Sequence, residues 1–93
     1  MEPAFEWDDD KAEGNYQKHG VDFVDAAQIF AGPTVQAVDN RKDYGEVRIR
    51  AIGEHDSQVF VVIYTPRADT IRIISAWKAG KHDRERYYES LAD

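Results

Sequence analysis

The chain has 93 residues, enough for a small core, so a single domain over residues 1–93 is expected. It has no Cys, which excludes a disulfide framework and fits a reducing, cytoplasmic setting. No apolar run approaches the roughly 18 to 20 residues of a membrane span, and the acidic start MEPAFEWDDD is unlike a signal peptide. The net charge of −6 argues at first against a polyanionic partner. Its distribution says otherwise: residues 1–40 carry two Lys against nine acids, and residues 41–88 carry ten Lys and Arg against seven. Such asymmetry points to a polyanion site or to a partner that covers one side.

Phe5-Glu6-Trp7 alternates large apolar residues around a Glu and predicts a short first strand. Asp8-Asp9-Asp10 follows. Three adjacent Asp cannot all face one ion, so the triplet reads as a cap for a helix over residues 9–19 rather than a metal site. Lys18 and His19 lie in its last turn, and Gly20 stands where a helix stop belongs. Asp22 begins a second helix, with Phe23, Ala26, Ala27 and Phe30 at helical spacing, which ends before Gly32-Pro33.

Residues 34–38 predict a strand, followed by a charged turn. Residues 46–52 alternate Val47, Ile49 and Ala51 against Arg48 and Arg50, a strand with one cationic face, and residues 53–57 read as a polar loop. The nearly all-apolar run 59–65 fits a central strand buried on both sides. Residues 66–69 turn into a strand over 71–76, residues 77–80 form a break, and the charged run 81–88 suits a terminal helix. The expected fold is therefore α+β: a short N-terminal strand, two helices, an antiparallel four-stranded meander and a C-terminal helix.

Alternation exposes Arg48, Arg50 and Arg72, and Lys78, Lys81, His82 and Arg84 follow them. Guanidinium forks match phosphate oxygens, so a phosphodiester ligand is suggested; a solvated outer face with Arg paired to Glu46 or Asp69 is the competing reading. His19 serves either as the basic end of a helix or as an acid or base. Trp77, Tyr87 and Tyr88 suit base stacking or the core, and only one of the two tyrosines can face inward from a helix. No phosphate-binding glycine loop, zinc spacing or Ser-His-Asp signature is present, so no cofactor and no metal are expected.

Phe5-Glu6-Trp7-Asp8, Lys11, Asn15, Lys18-His19-Gly20-Val21, Phe23, Ala26, Phe30, Arg48, Ile52-Gly53, Ile73-Ile74-Ser75-Ala76, Ala79, Arg84 and Tyr87 together resemble the BrnT toxin family over nearly the whole chain. The resemblance implies a RelE-like fold and the toxin half of a bacterial type II toxin-antitoxin module, cleaving RNA to arrest translation and growth. It also implies a BrnA-type ribbon-helix-helix antitoxin as partner, with operator DNA bound through that antitoxin. The family usually reads Ile-Ser-Ala-Arg where this chain has Trp77, and Glu where it has Asp83.

On this reading cleavage is metal-independent, with a ribose 2′-OH attacking the adjacent phosphate. Arg48, Arg72, Lys78 and Arg84 would stabilise the phosphate, His19, His82 or Tyr87 would move protons, and Arg50, Lys81, His82 and Trp77 would contact RNA. The alternative suggested by Trp77 is a catalytically impaired module that binds the antitoxin and regulates the operon. Direct DNA binding lacks a recognition helix to support it.

Overall fold

A computed structural model describes residues 3–92. The elements run β1 (Ala4–Glu6), α1 (Asp9–His19), α2 (Phe23–Ala27), a 3-10 turn (Gln28–Ala31), β2 (Thr34–Val38), β3 (Ile49–His55), β4 (Gln58–Arg67), β5 (Thr70–Lys78) and α3 (Lys81–Leu91). The strands form one five-stranded sheet in the order β1-β5-β4-β3-β2. β2 to β5 pair antiparallel in chain order, and β1 joins the far edge parallel to β5, through Ala4–Thr70 to Glu6–Arg72. The fold is thus α+β with a mixed sheet, where the pattern of the chain suggests a meander with the first strand left unplaced.

Local chemistry explains the helices. Asp8 accepts from the Lys11 N–H at 3.1 Å and Asp22 from the Val24 N–H at 2.8 Å, satisfying donors that a first turn leaves free. Gly20 takes the left-handed conformation, φ 70°, and its N–H closes α1 on the Tyr16 carbonyl. The second helix is shorter than its apolar spacing suggests. Its α-helical part stops at Ala27 and tightens into the 3-10 turn, which puts Ile29 in the core and leaves Phe30 half-buried.

The two faces of the sheet are covered unequally. α1, α2 and the 3-10 turn bury Phe23, Ala26 and Ile29 against Ala51, Val62, Ile73 and Ala76. On the other face α3 sets Tyr87 against Ile52, Val59 and Val61. Burying one such side chain contributes roughly 1.5–3 kcal/mol, and β4, buried on both faces from Val59 to Thr65, receives it from both sides.

Strand boundaries shift from those expected. β3 starts at Ile49 rather than Glu46, because residues 40–48 form a loop gathered on Asp39, and it continues through Gly53 to His55. The turn to β4 is Asp56-Ser57, both at positive φ, which matches the twist of a tight hairpin. β5 extends through Trp77 to Lys78, so only Ala79-Gly80 separate it from α3. Within β5, Ile63 pairs with Ser75 and Tyr64 with Ile73, leaving Ile74 as the extra residue of a bulge. The bulge shifts the alternation by one residue. Arg72, Ser75 and Trp77 consequently share the α3 face.

Three polar side chains are buried among the described residues: Asn15, Asp39 and Thr65. Asn15 and Asp39 are fully engaged, whereas the Thr65 hydroxyl has no partner.

Candidate functional site

α3 covers only part of its face of the sheet, and the remainder is an open cleft of about 590 Å³. Lys18 and His19 enter from the end of α1, Ser75, Trp77 and Lys78 from β5, and Arg41 and Arg48 from the loop before β3; Ile63 and Ile74 supply its apolar lining. The lining holds five basic side chains and no carboxylate.

Each contributor is positioned by a local constraint. The left-handed Gly20 ends α1 so that Lys18 and His19 project at the cleft mouth, and the half-buried His19 ring lies 5.9 Å from the Trp77 ring. Ser75 is aimed by the bulge, and its hydroxyl donates to Asn15 Oδ1 at 3.2 Å. Arg48 follows from the loop geometry. Its carbonyl accepts the Asp39 N–H at 2.7 Å, and its guanidinium carbon sits 4.0 Å from the centre of the Tyr44 ring, within cation–π range.

Asp39 organises that loop. Its carboxylate accepts Arg41 Nε at 2.8 Å and Nη2 at 2.9 Å and the Tyr44 hydroxyl at 3.4 Å. The hydrogen-bonded Arg41 guanidinium holds the Asp39 carboxyl below the usual carboxylate range, and Asp39 pushes Arg41 up in return.

Distances separate committed arginines from available ones. A charge-assisted hydrogen bond runs about 2.7–2.9 Å; Arg50 meets Asp83 at 2.8 Å and is tied by it to the first turn of α3. Arg48 lies 3.6 Å from Glu46, and Arg72 lies 3.7 Å from Glu6, both too far for such a bond. Both are looser ion pairs that leave hydrogen-bonding capacity on the guanidiniums, with Arg48 Nε itself buried.

Of the residues expected to act together, the structure brings His19, Arg48, Trp77 and Lys78 to one cleft. Arg50 and Arg72 share its sheet face without lining it. Lys81 and Arg84 instead border a separate groove along α3 with Glu85 and Tyr88, and Arg84 donates to the Ala79 carbonyl at 3.0 Å. His82 is exposed on α3 outside the cleft lining. The expected proton-transfer role for Tyr87 does not fit its position: the ring is buried, and the hydroxyl donates to the Pro33 carbonyl at 2.8 Å. Burial and the nearby Glu54 charge push that hydroxyl up.

Lys18 and Arg41 belong to the cleft although the pattern of the chain did not single them out. Lys18 adjoins His19 on the same helix end, and that adjacency is the available signal. Arg41 sits in what reads as an ordinary charged turn, and nothing local marks it.

The cleft also falls wholly within the part of the chain that matches known proteins. The model of the family described as the ribonuclease toxin BrnT of type II toxin-antitoxin systems matches residues 7–83. The crystal structure of the Brucella abortus ribonuclease toxin, BrnT, is similar to this chain, with a TM-score of 0.65 and 29% sequence identity over 86% of this chain and 100% of that one. No curated protein matches the chain.

Proposed function

Starting from a chain that belongs to the BrnT family of ribonuclease toxins of type II toxin-antitoxin systems, we propose that the cationic cleft binds and cleaves an RNA backbone without a metal. The observation that carries this reading is the convergence of Lys18, His19, Arg48 and Lys78 from three elements around one cleft with no lining carboxylate, the fifth lining cation, Arg41, being held by Asp39. Such a wall favours a phosphodiester over any cation or neutral metabolite.

The reaction is transfer to an internal hydroxyl. The ribose 2′-oxygen bonds to phosphorus, its proton leaves to a base, and the 5′-oxygen departs with a proton from an acid. His19 is the group of the cleft suited to proton transfer. Arg48 and Lys78, seconded by Lys18, stabilise the charge that develops on the non-bridging oxygens. Arg48 offers a planar fork and Lys78 a point charge. Trp77, beside His19, offers an aromatic face to an unpaired base. Arg50 and Tyr87 hold the scaffold, and Arg84, Lys81 and His82 lie outside the reacting region.

In this role the whole chain, residues 1–93, acts as one RelE-like toxin domain in the cytoplasm, arresting translation. A BrnA-type ribbon-helix-helix antitoxin neutralises it and carries it to operator DNA. No helix of the described residues is long and apolar enough to cross a membrane, and no group of three His, Cys, Asp or Glu among them is placed to hold a metal ion.

The test is the purified chain with RNA or translating ribosomes in EDTA. Cleavage is expected, and His19→Ala or Arg48→Ala should lower kcat by about 10² or more. A wild-type chain that leaves RNA intact while Trp77→Arg cuts it would establish the second reading, an antitoxin-binding regulatory module. That reading is favoured by Trp77, which occupies the cleft wall and packs partly against the α3 cluster where a cation would assist phosphate binding.

A further inference from the structure

Two buried side-chain atoms among the described residues lack a hydrogen-bond partner, Arg48 Nε and Thr65 Oγ1. Thr65 is 5% exposed, and native interiors leave few such groups unpaired. The two lie on the same side of the sheet. Thr65 pairs with Arg72 across β4 and β5, and Ile63, two residues earlier, pairs with Arg50 across β4 and β3. Arg48 stands at the end of the loop that leads into β3, two residues before Arg50, on the other side of β4 from Arg72. With strands about 4.8 Å apart, Arg72 is one strand spacing from Thr65, which follows the cleft-lining Ile63 on the same face.

Both orphan groups can donate, and the charges flanking them are predominantly positive. Arg48, Arg67 and Arg72 face Glu46 and Glu6 at 3.6–3.8 Å, three guanidiniums against two carboxylates, none at hydrogen-bond distance. Flexible stems let Arg48 and Arg72 turn outward and admit an acceptor to the hydroxyl beneath.

We propose that Thr65 and Arg72 form a second phosphate subsite beside Arg48, next to the cleft, which takes the phosphodiester adjoining the one that Arg48 and Lys78 hold. The substrate is then a polynucleotide held at two or more phosphates. The source of the phosphate rests on the ribonuclease reading; the anion site itself rests on the geometry alone.

Thr65→Val removes the hydroxyl and keeps the shape. Since that hydroxyl bonds to no other protein group, the melting temperature should equal or exceed that of wild type. The advantage in KM of an oligonucleotide over a dinucleotide should fall about fivefold, the loss of one hydrogen bond. Arg72→Gln should reduce it at least as much. Inorganic phosphate should raise the melting temperature of wild type more than that of Thr65→Val. Should wild type prove unable to cleave, binding of a 2′-deoxy oligonucleotide and the phosphate-induced melting shift still decide the matter. A Thr65→Val chain that melts higher yet matches wild type in oligonucleotide binding and phosphate response would overturn the subsite, leaving the hydroxyl to a structural water.

Discussion

The Asn15 carboxamide bonds both backbone groups of Ala76, donating to its carbonyl at 2.9 Å and accepting its N–H at 3.1 Å. β1 covers β5 only along Thr70–Arg72, so beyond that point β5 is a bare sheet edge. Asn15 does there what a sixth strand would do. A third bond, to the Val21 carbonyl at 3.1 Å, fastens the α1–α2 corner to the same point.

Asn15→Ala should therefore destabilise the chain by about 2–4 kcal/mol, because it strands three buried backbone groups at once. Urea unfolding at neutral pH measures this. A loss below about 1 kcal/mol would mean that water replaces the carboxamide.

Gly53 lets β3 lie close against the 3-10 turn: a Cβ there would come within 2.7 Å of Ile29 Cβ. Gly53→Ala should cost about 1–3 kcal/mol through overpacking. Gly14, inside α1 with nothing within 4 Å of its added Cβ, gives the opposite expectation. Gly14→Ala should gain about 0.5–1 kcal/mol from helix propensity. Parallel thermal melts of the two variants check the sign of each.

Asp39 should make the chain sensitive to acid. Its folded-state carboxyl lies below the ordinary value near 4, so its contribution is fully present above about pH 4 and is lost as pH falls through the folded value. At pH 7 Asp39→Asn should be less stable by about 1–3 kcal/mol, and it should lose less further stability than wild type on going to pH 2.5. Denaturation midpoints at both pH values test this, and equal losses in the two chains would assign the acid sensitivity elsewhere.

Arg48 and Arg50 are two residues apart on one face, yet they should behave differently. Arg50→Ala leaves Asp83 without its partner, costing about 1–2 kcal/mol of stability, with RNA affinity unchanged. Arg48→Ala should weaken RNA binding and lower the slope of log K against log salt by roughly 0.7, the value for one phosphate contact on a single strand. Titrations at several salt concentrations separate the two.

Much of this architecture is legible in the chain because its signals are local. The Asp8 and Asp22 caps, the Gly20 stop and the apolar run of β4 each act within a few residues, and they mark α1, α2 and the central strand. Pairing decisions are not local. Nothing near Ile74 announces a bulge, nothing in Phe5-Glu6 reveals that β1 runs parallel to β5, and the partner that engages Arg50 lies 33 residues away. The same holds for the cleft. His19, Arg48, Trp77 and Lys78 are readable as chemistry, whereas the exclusion of Arg84 and Tyr87 follows from the seating of α3, which turns Tyr87 inward and leaves Tyr88 exposed.

The extra residue at Ile74 sets what kinds of drift this strand can absorb. Removing it would rotate everything downstream by half a turn of the pleat, driving the indole of Trp77 into space that α1 fills and presenting Ala76 to the opposite side. Exchange of one side chain for another at position 77 leaves that phase intact. Position 77 is accordingly open to exchange, whereas the strand around it is intolerant of any change in length.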